Sequence, residues 1–346
     1  MHVPDGFLDV PTSAATAVVA AGAVGAALRR SRAELDERTA PLAGLTAAFV
    51  FAVQMLNFPV GVGTSGHLMG GALAAVLVGP WTALLCLTVV LVVQALLFAD
   101  GGTTALGTNV LLIGVVTVVV GWAVTRAALA VLPRRPRSVV PAAALGALVS
   151  VPVAAAVFAG LFAVGGAADL PVGTLLATMV GWHLLIGVGE AVITGLTVSA
   201  VVAVRPDLVR AARGLAPALV LRDAQGRETS APVPVAAPRR VGRRGVLLGG
   251  TAVTLLLAGV VSAWASSSPD GLERVAEDRG FLDTAREHAV TWGLGDYGAV
   301  GGIPVGVAGV LGVAVVVIVG TLLFRLVAAR RPDAAAPRGE RERAGV

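Results

Sequence analysis

The chain alternates between long apolar runs and short polar or arginine-rich breaks. Runs approaching the roughly 20 residues of a bilayer crossing lie at 11–28, 41–58, 81–98, 109–132, 139–164 and 174–204. A shorter run, 67–79, reaches across only about 20 Å of a hydrocarbon core about 30 Å thick. Its length predicts a short helix or part of a broken one. After a stretch at 206–244 rich in Arg, Pro and Ala, two more runs, 245–264 and 303–326, enclose a polar segment at 265–302. The pattern predicts an all-α integral membrane protein of about nine transmembrane helices, seven before the break and two after it. In the first run Ala17 and Ala21, then Ala23 and Ala27, recur at the four-residue spacing that lets helices pack closely in lipid.

Charge sets the orientation. Every one of the 26 basic residues is Arg, and if 67–79 crosses, all but Arg274, Arg279 and Arg286 fall on one side. By the positive-inside rule that side is cytoplasmic, so the N-terminus is expected outside and the C-terminus inside. The first arginines follow the first run, the reverse of a cleaved signal peptide. The parts are then a membrane domain at 1–204, a cytoplasmic linker at 205–244, a two-span unit at 245–329 and a basic cytoplasmic tail at 330–346. A multi-pass protein of the plasma membrane is expected, its outer loops rich in carboxylates, read either as a rim that raises the local cation concentration or as the mere avoidance of Arg on that side.

Composition narrows the partners. Hydrophobic residues make up 56% and charged residues 14%, against about a quarter charged in soluble domains. With its arginines placed as topology signals, the chain is not expected to bind nucleic acid. Having no lysine, it cannot supply a standard P-loop, whose Lys reaches the β/γ-phosphates, so any ATP-driven step belongs to a partner. The lone Cys86 excludes an intrachain disulfide and a cysteine-based zinc site.

The four histidines carry the candidate chemistry. His2 follows Met1, and a large second residue favours retention of Met1. The Met1 amine and His2 backbone nitrogen would close a five-membered chelate on a divalent metal, and the His2 imidazole a six-membered one. Val3 before Pro4 is biased to extended geometry and leads the chain away. Three nitrogens in a plane suit Ni(II) and Cu(II) best, with Co(II) possible. His67, ending the 61–66 loop on the same outer side, is the candidate fourth ligand. Supporting candidates are Asp5, Asn109 at the end of the glycine-containing turn from Gly101, and the intramembrane His183 and Glu190, seven residues apart on one helical face. The bland reading of the last two is a buried polar pair, the functional one a proton or ion relay. His288 is expected to be solvated.

Four stretches, MHVPDGFLD at Met1, GTSGHLMGG at Gly63, DGGTTALGTN at Asp100 and HLLIGVGEAVITG at His183, resemble the CbiM/NikM substrate-binding components of cobalt and nickel energy-coupling factor transporters. SSSPDGLERVAEDRGF at Ser266 resembles the PDGLE domain of NikN-type subunits. The resemblance implies metal ligands at Met1, His2 and His67, and nickel or cobalt as cargo for nickel enzymes or cobalamin synthesis. It also implies a membrane coupling subunit with a pair of cytoplasmic ATPases as partners, no catalysis and no cofactor on this chain. The alternative is a proton-coupled secondary metal transporter using Glu190 and His183.

Overall fold

A computed structural model describes residues 1–35, 39–61, 63–215, 218–222, 228–232, 242–288, 294–295 and 302–329. The predicted tail at 330–346, and linker residues 216–217, 223–227 and 233–241, lie outside the described residues.

The first helix, α1 (Val10–Arg30), starts where the Asp9 carboxylate accepts the Thr12 amide at 2.8 Å and Pro11 occupies the first turn. Its buried residues are Thr12, Thr16, Ala20 and Ala27, so the inner seam is shifted from the predicted alanine pairs, of which only Ala27 is buried. The threonines turn inward because they have polar partners there, Thr16 Oγ1 lying 2.8 Å from Thr108 Oγ1.

Next come α2 (Ala40–Gln54), a hairpin of β1 (Phe58–Gly61) and β2 (Thr64–Gly66), α3 (Gly71–Val78) and α4 (Pro80–Leu97). The short apolar run is thus a broken crossing, with irregular backbone at 67–70 leading into the eight-residue α3. Non-helical backbone at membrane depth must be satisfied by protein. Glu190 accepts the amides of Met69 at 2.7 Å and Gly70 at 3.1 Å, and the Gln54 amide donates to the Met69 carbonyl at 2.9 Å. At the far end of α3, Glu34 accepts the Thr82 amide at 2.8 Å and its hydroxyl at 2.9 Å, capping α4.

A compound helix follows: α5 (Leu106–Asn109), a π-helical stretch Val110–Val116, and α6 (Thr117–Val131). Such π-helical stretches are frequent at functional sites. α7 (Val139–Gly165) and α8 (Val172–Val204) then pack along their lengths. Pro152, inside α7, cannot bond the Leu148 carbonyl, and Gly187 of α8 comes so close to that carbonyl that a Cβ there would lie 2.8 Å from its oxygen.

The remaining helices form the second unit. α9 (Arg243–Gly259) and α11 (Val305–Ala329) pack against α2. Between them, α10 (Gly271–Arg279) opens on a capping box made by Asp270 and Glu273. Past α10, Phe281 is fully buried between Phe7 and Phe162, ring centroids 5.1 and 4.8 Å away.

Among the described residues seven helices are long and apolar enough to cross a membrane. The shorter α2 and α3 complete the nine apolar segments of the sequence pattern, and the chain is a multi-pass membrane protein. Two departures from all-α are the β1–β2 hairpin and a second hairpin, β3 (Ala218–Arg222) with β4 (Glu228–Pro232), inside the predicted linker. Pro59, with no amide to donate, breaks a helix through the first segment and is tolerated in a two-stranded pair, where each strand is an edge.

Candidate metal centre

The N-terminus is buried. Met1 is 2% exposed, and its amine faces His67 Nε2 on one side and lies 2.8 Å from Asp270 Oδ2 on the other. His67 Nδ1 donates to the Leu68 carbonyl at 3.0 Å, which places the ring proton on Nδ1 and aims the Nε2 lone pair at the Met1 amine. The irregular backbone after His67, held by Glu190 and Gln54, fixes that orientation.

His2 completes the cluster. Its ring stacks on that of His67, centroids 4.8 Å apart and planes 20° from parallel. Nδ1 lies 3.2 Å from Asp100 Oδ1 and Nε2 3.2 Å from Gln94 Oε1. Burial pushes the His2 imidazole down to about 4, with Asp100 opposing the shift, so the ring is neutral at physiological pH and its contact with Asp100 is a hydrogen bond. A neutral ring has one N–H and cannot donate to both neighbours. Turning the Gln94 amide over lets its NH₂, otherwise without a partner among the described residues, donate to His2 Nε2. For Nδ1 to join a chelate, the metal must then displace Asp100.

The chain leaves His2 along a braced path. The Val3 amide donates to Asn109 Oδ1 at 2.7 Å, and Asn109 Nδ2 donates back to the Val3 carbonyl at 3.0 Å. Gly101, at φ 84°, makes the turn beneath, where a Cβ would lie 2.8 Å from Asn109 Nδ2 and 3.4 Å from the His2 ring. Asp5 accepts the amides of Thr103, Thr104 and Ala105 and both threonine hydroxyls, at 2.6 to 3.1 Å. Burial would raise its carboxyl, but these hydrogen bonds hold it below the usual range.

His183 and Glu190 share the buried face of α8, as their spacing predicts, and both are fully buried. They are not a pair. Glu190 serves the Met69 and Gly70 amides, and His183 Nδ1 donates to the Met179 carbonyl at 2.8 Å. His183 Nε2 has no hydrogen-bond partner among the described residues, and the ring lies against Gly271, where a Cβ would be 3.1 Å from His183 Cε1.

Glu190→Gln is therefore expected to loosen the backbone behind His67. A carboxamide offers one acceptor where two amides need partners, leaving a buried N–H unsatisfied at a cost of about 1–3 kcal/mol. Outer-sphere losses of this kind weaken metal binding by about 10–100-fold. Equilibrium metal titration of the purified variant checks this, and wild-type affinity would remove Glu190 from the support of the site.

His288 corrects an expectation. It is half-buried, and its Nε2 lies 3.2 Å from the Gly101 carbonyl, tying the second unit to the turn under His2. Asp270 and Gln94 were not expected at the site. The signals for them were a polar amide inside an apolar run at Gln94 and, at Asp270, the D-x-x-E spacing of a capping box, which locates a helix start but not what it faces. Among the described residues no group of three or more His, Cys, Asp or Glu side chains is placed to hold a metal. A metal held at this cluster would therefore need main-chain nitrogen among its ligands.

Known proteins resemble both parts of the chain. A family profile, CbiM, described as a cobalt uptake substrate-specific transmembrane region, matches residues 2–208. A PDGLE domain profile matches 244–329. A putative metal transport protein of Haloquadratum walsbyi is 38% identical over 209 residues, 60% of this chain and 93% of that protein. A putative fused nickel transport protein NikMN of Archaeoglobus fulgidus is 40% identical over 216 residues, 60% of this chain and 68% of that one. A crystal structure of a truncated transition metal transporter superposes with a TM-score of 0.51 at 30% identity, covering 58% of this chain and 98% of that one.

Proposed function

The chain belongs to the CbiM family and joins it to a PDGLE domain, and on that premise we propose that it captures Ni(II) or Co(II) at the outer face of the plasma membrane for an energy-coupling factor importer. The ligands are the Met1 amine and the backbone nitrogen of His2, each once it has lost a proton to solvent, with Nδ1 of His2 and His67 Nε2. The observation that supports this reading best is the burial of the Met1 amine directly against His67 Nε2. Nitrogen donors from one chain end suit nickel and cobalt better than harder ions. Fused nickel transport proteins among the relatives favour nickel.

With no lysine for a P-loop, energy would come from a coupling subunit and paired ATPases. The separate partners of Glu190 and His183 give a proton relay no support. Nickel uptake by cells carrying this chain with the coupling subunit and ATPases is expected to vanish when an ATPase P-loop lysine is replaced. Uptake that persists and instead collapses with the proton gradient would replace the importer by a secondary transporter.

Orientation is tested separately. With Cys86 fully buried, an impermeant thiol reagent should modify a cysteine at the exposed Ala285 in intact cells and spare one at Gln225, which lies outside the described residues. The opposite pattern would invert the topology.

A further inference from the structure

We propose that Asp270 is a further donor to the transported metal, an oxygen ligand supplied by the second unit of the chain. The inference rests on the ligand set proposed above. Oδ1 of Asp270 is committed to its own helix, accepting the amides of Leu272 at 2.7 Å and Glu273 at 2.9 Å. Glu273 Oε2 accepts the Asp270 amide in return at 2.9 Å, so the capping box sets the carboxylate's orientation. Oδ2 then points out of the helix and into the cluster. It lies 2.8 Å from the Met1 amine and 3.6 Å from His67 Nε2.

The approach is built into the backbone. The Ser65 amide donates to the Pro269 carbonyl at 2.9 Å and its hydroxyl to the Ser268 carbonyl at 2.7 Å. The Ser266 amide donates to the Asn57 carbonyl at 2.8 Å. These bonds join the segment before Asp270 to the hairpin that immediately precedes His67 and to the residue leading into it. Beyond α10, the Arg286 amide donates to the Asp5 carbonyl at 2.8 Å, so both flanks of the metal-binding loop carry the second unit.

Electrostatics supplies the reason for ligation. When the Met1 amine and His67 Nε2 turn their lone pairs to a divalent cation, Oδ2 is left beside that cation in a site where Asp270 is 8% exposed. A buried carboxylate oxygen without full hydration gains most by coordinating. Four nitrogens in a plane leave the axial position for it, and an axial oxygen widens the site to ions that do not hold a square plane, Co(II) included.

The test uses the full chain loaded with nickel, because square-planar Ni(II) is diamagnetic whereas a five-coordinate centre with an axial oxygen is commonly paramagnetic. Asp270→Asn and Asp270→Ser both keep a good helix N-cap, so misfolding of one leaves the other to decide. The wild type is expected to be paramagnetic. Both variants should become diamagnetic and release nickel about 10–100-fold faster. A diamagnetic wild type, or variants with the wild-type spectrum, would overturn the proposal, including the case where release is faster but the spectrum unchanged, since Asp270 then only orients the amine. His67→Ala is run alongside. If it keeps wild-type affinity, the underlying ligand set has failed; if it loses nickel while the Asp270 variants match wild type, only the role of Asp270 has.

Discussion

One residue added ahead of Met1 will abolish high-affinity metal binding. The extension converts the basic amine at this position into an amide, which, like the His2 amide, binds a metal only after losing its proton, and it moves the free amine one residue outward, away from His67. Space gives an independent reason. The amine is enclosed by His67 Nε2 and Asp270 Oδ2, with Met1 2% exposed, so an added residue must displace the 65–70 segment, the second unit, or the N-terminus itself. A loss of at least about 100-fold is expected, corresponding to about 3 kcal/mol at about 1.4 kcal/mol per tenfold. Equilibrium titration of the extended protein, before and after a protease removes the added residues, measures it, because recovery on cleavage separates lost ligation from lost folding. Equal affinity in the two forms would remove the terminal amine from the site.

The parts of this architecture legible in the sequence are those that one dimension encodes. Bilayer thickness imposes a minimum length on each crossing, so counting apolar residues located the spans and marked 67–79 as a short helix or part of a broken one. Counting crossings placed His2 and His67 on one side. What stayed hidden depends on partners distant in the chain. Glu190 has the spacing to share a face with His183, but the amides freed where the crossing breaks at Met69 and Gly70 have the stronger demand for a carboxylate, and nothing in the periodicity of α8 shows that. The α1 seam is shifted because Thr16 meets Thr108, a contact between two segments whose patterns are each consistent with several rotations. Asp270 reaches the cluster through strand-like bonds to Ser65 across about 200 positions. The sequence marks a helix start there, and only the docking of one unit on the other makes it part of the site.

His67→Ala will reduce metal uptake far more than His288→Ala. The first change deletes the proposed fourth nitrogen, and no other imidazole is placed to replace it. His183 is fixed in α8 by its bond to the Met179 carbonyl at 2.8 Å and lies against Gly271, so reaching the site would require unwinding a helix turn. The His2 ring already belongs to the chelate. Water would take the place of Nε2, and because donor type sets both affinity and geometry, a loss of about 100-fold or more in affinity is expected. The second change removes the contact from His288 Nε2 to the Gly101 carbonyl at 3.2 Å, at a half-buried position. One neutral hydrogen bond contributes about 0.5–1.5 kcal/mol, so uptake should fall by less than about tenfold, through a looser turn beneath His2. The measurement is initial uptake rate against nickel concentration for both variants at matched membrane expression, in cells supplying the coupling subunit and ATPases. For His67→Ala the loss should appear as a raised half-saturating concentration, since capture rather than ATP-driven turnover is damaged. Wild-type uptake by His67→Ala would exclude it from the metal site and leave the chelate at Met1 and His2 to be completed by Asp270.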